Sequence, residues 1–154
     1  MEISNAKIAR ILRNVAAAYT IKGVGNIFQI RAYENAADSI EHATAEIQDL
    51  WQEGKLDQVP GLGTSLQAYL DELFKKGQVK HFETVKKGIP QIVFELLDIP
   101  GIGPKTAQKV AGLGIKNLDD LKKKLKSGEL VEKGFSAKLA QNILTGFQEV
   151  SQRG

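Results

Sequence analysis

Val59-Pro60-Gly61-Leu62-Gly63 and Ile99-Pro100-Gly101-Ile102-Gly103 repeat one pattern at an offset of 40 residues, and the reading of the whole chain turns on them. Each copy follows a short helical pattern that ends on an apolar residue, and each is followed at once by another helical pattern. Two copies are too few for a solenoid, so the repeat reads as a duplicated supersecondary unit. Glycine supplies turn conformations that a Cβ obstructs, and it lets a ligand come close to the backbone. Leu62 and Ile102 can tuck into the core of their turns.

The backbone amides of the next helix's first turn have no partner inside that helix, and the positive end of its dipole lies behind them. Such an end accepts an anion, and an oxygen of a nucleic-acid phosphate fits it. Amides address phosphate rather than base edges, so binding of this kind carries little sequence information. A Gly-x-Gly turn can also be purely structural, but two copies with matched flanks favour the ligand reading. A dinucleotide-binding fingerprint is excluded, since no strand precedes either glycine pair and its third glycine is missing. A Walker-type loop is excluded for want of its Gly-Lys-Ser/Thr ending.

The candidate phosphate contacts are therefore Gly61, Gly63, Thr64 and Ser65 in the first copy, and Gly101, Gly103, Lys105, Thr106 and Lys109 in the second. Lys105 and Lys109 add charge where the first copy offers only hydroxyls, so the second turn is expected to bind more strongly. The run Lys122, Lys123, Lys124 and Lys126 reads first as a solvated helix face and second as an extension of that footprint.

Working outward, Ile8, Ile11, Leu12 and Val15 recur at helical spacing behind a Ser4 N-cap, which predicts a helix to about Tyr19. Further helices are expected over about 28–43, 45–52, 64–76, 80–87, 91–97, 104–111, 117–125 and 136–149, with Asn117 as an N-cap and Gly54, Gly77 and Gly112 as stops. No sustained strand-type alternation occurs, so the fold class is all-α. Residues 54–57 or 87–90 are candidate linkers. The division adopted is 1–88 and 89–154, two small helical subdomains with one hairpin each.

The bulk properties permit this and exclude much else. Of the 154 residues, 42% are hydrophobic and 25% charged, enough for a core and no case for global disorder. Without cysteine there is no disulfide, thiolate zinc site or cysteine nucleophile. His42 and His81 are far apart and read as surface residues, not metal ligands. No apolar run approaches a membrane span, and a basic-then-apolar leader is missing, so a cytoplasmic, or nucleoid-associated, protein is expected. Charge is uneven. Residues 1–57 hold six basic and eight acidic residues, a balance of −2, whereas residues 58–154 hold fifteen against ten, +5. The basic partner surface is expected in the later part.

These residues resemble the helix-hairpin-helix family. Over nearly the whole chain the longer pattern is similar to the N-terminal part of X-family, DNA polymerase beta-like enzymes. The resemblance rests on Arg31-Ala32-Tyr33-Glu34-Asn35-Ala36-Ala37, on residues 59–73 and 96–110, and on Gly114-Ile115-Lys116-Asn117-Leu118. It implies a lyase-like subdomain followed by a fingers-like or thumb-like one, with DNA as partner: duplex, gapped or nicked. It also implies a Na+ or K+ ion at each hairpin, bridging to phosphate and held by the carbonyls of Asp57, Val59 and Leu62 and of Leu97, Ile99 and Ile102. No other cofactor, no small-molecule substrate and no membrane is expected.

Two departures limit the analogy. The catalytic palm of such enzymes would begin about where this sequence stops, so a C-terminal polymerase domain is expected elsewhere or not at all. The family's lyase nucleophile, a lysine that forms a Schiff base, falls on Tyr69, which cannot form one. Phe28, Gln29 and Ser65 stand where a histidine and two lysines are expected, while Tyr33 remains. The expectation is a non-enzymatic, sequence-independent DNA-binding module of a repair polymerase type. Two alternatives stay open: a lyase using Lys75, Lys76 or Lys80, and a protein-interaction scaffold.

Overall fold

A computed structural model describes residues 2–132 and 136–153. Among them every regular element is helical, so the chain is all-α. The order is α1 (Asn5–Lys22), α2 (Ile27–Glu41), α3 (Ile47–Gln52), a 3₁₀ turn (Leu56–Gln58), α4 (Thr64–Lys76), α5 (Lys80–Lys86), α6 (Gln91–Leu97), α7 (Pro104–Ala111), α8 (Leu118–Ser127), α9 (Glu129–Glu132) and α10 (Ala137–Arg153). The chain divides into two compact units between Gly88 and Ile89.

In the first unit α1 and α2 pack along each other. Ile8, Leu12, Val15 and Ala16 of α1 are buried, as are Tyr33, Ala36, Ala37 and Ile40 of α2. Alanine at 16, 36 and 37 removes the bulk that would hold the two backbones apart. Arg13 also joins the pair, donating to Asp38 at 2.7 Å and pairing with Glu41. All three side chains are at least 41% exposed to solvent, so this ion pair contributes at most about 1 kcal/mol. Each fully buried Ile or Leu contributes roughly 1.5–3 kcal/mol, and the apolar seam therefore holds the pair together. Asn5 fastens the start of α1 to α3, donating to the Ala45 carbonyl at 2.9 Å and accepting from the Ile47 amide at 2.8 Å.

The second unit packs α6, α7, α8, α9 and α10 around Val93, Leu96, Ile99, Val110, Leu121, Leu130 and Ile143, all at least 98% buried. The expected N-caps Ser4 and Asn117 do accept from the amides of Lys7 and Asp120. α1 runs three residues past its expected end, to Lys22, where the left-handed conformation of Gly23 stops it. The 3₁₀ turn and α9 have no counterpart in the sequence reading; each is a turn or less of helix, too short for periodicity to register.

Candidate nucleic-acid interface

Both glycine stretches fold into the same turn. The Leu62 amide donates to the Val59 carbonyl at 3.2 Å, and the Ile102 amide donates to that of Ile99 at 3.1 Å. With proline at the second position and a left-handed glycine at the third (Gly61 at φ +77°, Gly101 at φ +88°), each has the marks of a type II turn. Val59, Leu62, Ile99 and Ile102 are buried, which anchors the corners from below. Gly61, Gly63, Gly101 and Gly103 are exposed.

The second glycine of each turn is a different case. Gly63 (φ −72°, ψ 175°) and Gly103 (φ −92°, ψ 179°) are in extended backbone that any residue adopts. A Cβ on either would meet nothing within 4 Å. Neither conformation nor packing inside the protein asks for glycine there. Bare backbone at both places suits a partner that comes close from outside.

The helices that start at these glycines have no side-chain N-cap. Among the described helices of eight residues or more, α1, α2, α8 and α10 each have a side-chain N-cap, from Ser4, Asn26, Asn117 and Ser136. α4 and α7 have none. Their first bonds back to the turn are from the Gln67 amide to the Gly63 carbonyl and from the Ala107 amide to that of Gly103, both 2.9 Å. The amides ahead of them (Thr64, Ser65 and Leu66 in α4; Lys105 and Thr106 in α7) donate to no described carbonyl or side chain. Pro104 takes the place of Thr64 and brings no amide.

Around the second turn Lys105 and Lys109 are exposed and Thr106 is half-buried; around the first, Thr64 and Ser65 are exposed. Each turn is braced by a helix. At the first, Gly61 lies over the backbone of α2, where a Cβ would be 3.8 Å from the Asn35 carbonyl oxygen. At the second the brace is Gly146 of α10, where a Cβ would collide with Ile99 and crowd Pro100. Sequence reasoning passed over Gly146, although a lone glycine inside a long helical pattern was the available signal. It also passed over Gln67, whose side chain donates to the Leu62 carbonyl at 2.8 Å. Nothing in sequence separates that glutamine from an ordinary solvated helix residue.

The region that would be the lyase pocket is filled with rings. Tyr69 stacks on His81 at 5.1 Å between ring centres and 6° between planes. His81 Nε2 shares a 2.7 Å hydrogen bond with the Tyr19 hydroxyl. Tyr33 lies 5.8 Å from both Tyr19 and Phe82, and burial raises the pKa of both Tyr19 and Tyr33 above the ordinary tyrosine value. Phe28 is 78% exposed at the start of α2 and Lys75 is paired with Asp71 at 3.0 Å. Phe74 and Phe82 are buried. No cluster of three or more metal-ligating side chains occurs among the described residues, nor any helix long and apolar enough to cross a membrane.

A family model described as a helix-hairpin-helix domain matches residues 3–79, half of the chain. The chain belongs to the helix-hairpin-helix family. A second model, a SAM-like helix-hairpin-helix tandem, matches residues 93–149, so each turn lies in a matched helix-hairpin-helix segment. Among curated proteins, the chain is 24% identical over 148 residues to the DNA polymerase/3'-5' exonuclease PolX of Bacillus subtilis, over 95% of its own length. This supports the resemblance to the helix-hairpin-helix region of X-family polymerases. It is also 37% identical over 73 residues, 47% of its length, to the UvrABC system protein C of Streptomyces coelicolor. The chain spans 25% of the length of the first relative and 9% of the second.

Proposed function

We propose that this helix-hairpin-helix chain binds DNA without regard to sequence, each hairpin presenting the unpaired amides of its following helix to a backbone phosphate. One observation carries the reading: glycine at 63 and 103 answers to nothing inside the protein, and the helices that begin there lack the side-chain N-cap that the other described helices of eight residues or more have. Exposed Lys105 and Lys109 supply charge at the second hairpin, within residues 58–154, which hold the basic surplus. DNA is the phosphate polymer of choice because the relative matched over nearly the whole chain is, by name, a DNA polymerase and exonuclease.

The chain's part is to grip and not to catalyse. Tyr69, ring-stacked on His81, offers no amine for a Schiff base. Gapped or nicked duplex is the partner of choice, and a polymerase domain elsewhere would perform any chemistry, in the cytoplasm or on the nucleoid.

Anisotropy of a labelled gapped duplex, titrated from low to moderate salt, tests this. Log affinity should fall linearly with log salt, by about 0.9 for each phosphate neutralised, and scrambling the duplex sequence should leave the line in place. A flat salt response, or a strong preference for one sequence, would overturn the reading.

A further inference from the structure

The family resemblance implies a monovalent cation at each hairpin, held by carbonyl oxygens. The two hairpins differ in how well they suit one. A carbonyl cage holds such an ion by replacing its hydration shell with converging oxygen dipoles, and an N–H pointed into that cage opposes it.

At the second hairpin, no described N–H donates to the Leu97 or Ile102 carbonyl, and Ile99 accepts only from the turn's own Ile102 amide. The residue in register with Gln67 is Ala107, which has no polar atom beyond its backbone. These carbonyls keep lone pairs that an ion could use. At the first hairpin the Gln67 side-chain amide donates to the Leu62 carbonyl at 2.8 Å. Only the NH₂ end of that amide can make the bond, so the group at the oxygen carries partial positive charge. It takes up a lone pair that the cation's coordination would use.

From this difference we infer that Gln67 replaces the monovalent cation at the first hairpin, so that only the second hairpin's hold on phosphate depends on Na+ or K+. The inference rests on the reading of both hairpins as phosphate grips. The first turn is closed by a group of its own chain and is ready at any cation composition. The second completes itself by taking an ion from solution.

The test uses the full chain, ¹³C- and ¹⁵N-labelled, with KCl replacing tetramethylammonium chloride at constant ionic strength. The readout is the carbonyl ¹³C shifts of Leu62 and Ile102, each seen through the amide of the next glycine. In the wild type the Ile102 carbonyl should move and the Leu62 carbonyl should stay. In Gln67→Ala, a change to a good helix former on a half-buried face, both should move. Gln67→Glu serves as a second variant: it offers oxygen in place of N–H, and its Leu62 carbonyl should also respond. A Leu62 carbonyl that moves in the wild type, stays still in both variants, or is matched by an unmoved Ile102 would overturn the inference.

Duplex affinity measured on the same samples separates the two claims. The predicted carbonyl pattern without DNA affinity would defeat the phosphate reading and leave the cation asymmetry standing. Salt-sensitive DNA affinity without the carbonyl pattern would do the reverse.

Discussion

The two hairpins share a turn, a bare glycine and an uncapped helix, but they are finished in different ways. The first is completed by neutral groups of its own chain: Gln67 holds the Leu62 carbonyl, Thr64 and Ser65 supply hydroxyls, and α2 lies behind Gly61. The second has Pro104 where the first has an amide, Ala107 where it has Gln67, and two exposed lysines. A duplicated backbone can thus keep one turn geometry while its flanking charge moves to one copy. On the proposed reading, the first copy would position the DNA backbone and the second would supply most of the affinity.

The sharpest way to break this comparison is to remove the brace behind one hairpin. Gly146→Val would drive side-chain atoms into Ile99 and Pro100, and overpacking of this kind costs about 1–3 kcal/mol. A thermal melt followed by circular dichroism should show the loss, and DNA affinity should fall with it. An unchanged melt would mean that α10 does not hold the second turn.

The charge asymmetry predicts a smaller effect with a distinct signature. Lys105→Gln and Lys109→Gln should each weaken duplex binding and reduce the magnitude of the log-log salt slope by about one. Thr64→Ala and Ser65→Ala at the first hairpin should leave the slope unchanged and cost less affinity, since neutral hydroxyls release no counterion. Equal slopes for all four variants would erase the division of labour.

The smallest effect is on stability against pH. Asp120 accepts from the Lys116 amide, and this bond, with Lys124 nearby, holds its carboxyl below the usual aspartate range. Asp71 is lowered in the same way by Trp51 and then Lys75. A carboxyl depressed in the fold adds stability above its unfolded value and loses it as pH falls through the folded one. Asp120→Asn should therefore melt lower than wild type near neutral pH and converge with it in acid. A difference that persists unchanged into acid would show that the carboxylate's charge is not what matters.

The fold was largely legible because its signals are local. Helical spacing from Ile8 to Val15, caps at Ser4 and Asn117, and the two Pro-Gly corners each report on a few neighbouring residues. The turns themselves were legible for the same reason. What escaped was tertiary: the bond from Gln67 to Leu62, the packing of Gly146 under Ile99, and the stacking of Tyr69 on His81. In sequence these residues look like a solvated polar residue, a weak helix position and a lost nucleophile. Their roles arise only when separate segments meet.

The central claim is that the bare amides of α4 and α7 belong to DNA and not to the protein. Gly103→Asp tests it most directly, because space at that Cβ is open and aspartate is a good N-cap that also suits the helix dipole. The account predicts opposite movements: the melting temperature rises, by about a few tenths of a kcal/mol of added stability, while duplex affinity drops far more than in Gln141→Glu, which adds the same charge at an exposed position of α10. Affinity equal to that of Gln141→Glu, with the helix stabilised, would contradict it and leave the hairpins as structural turns.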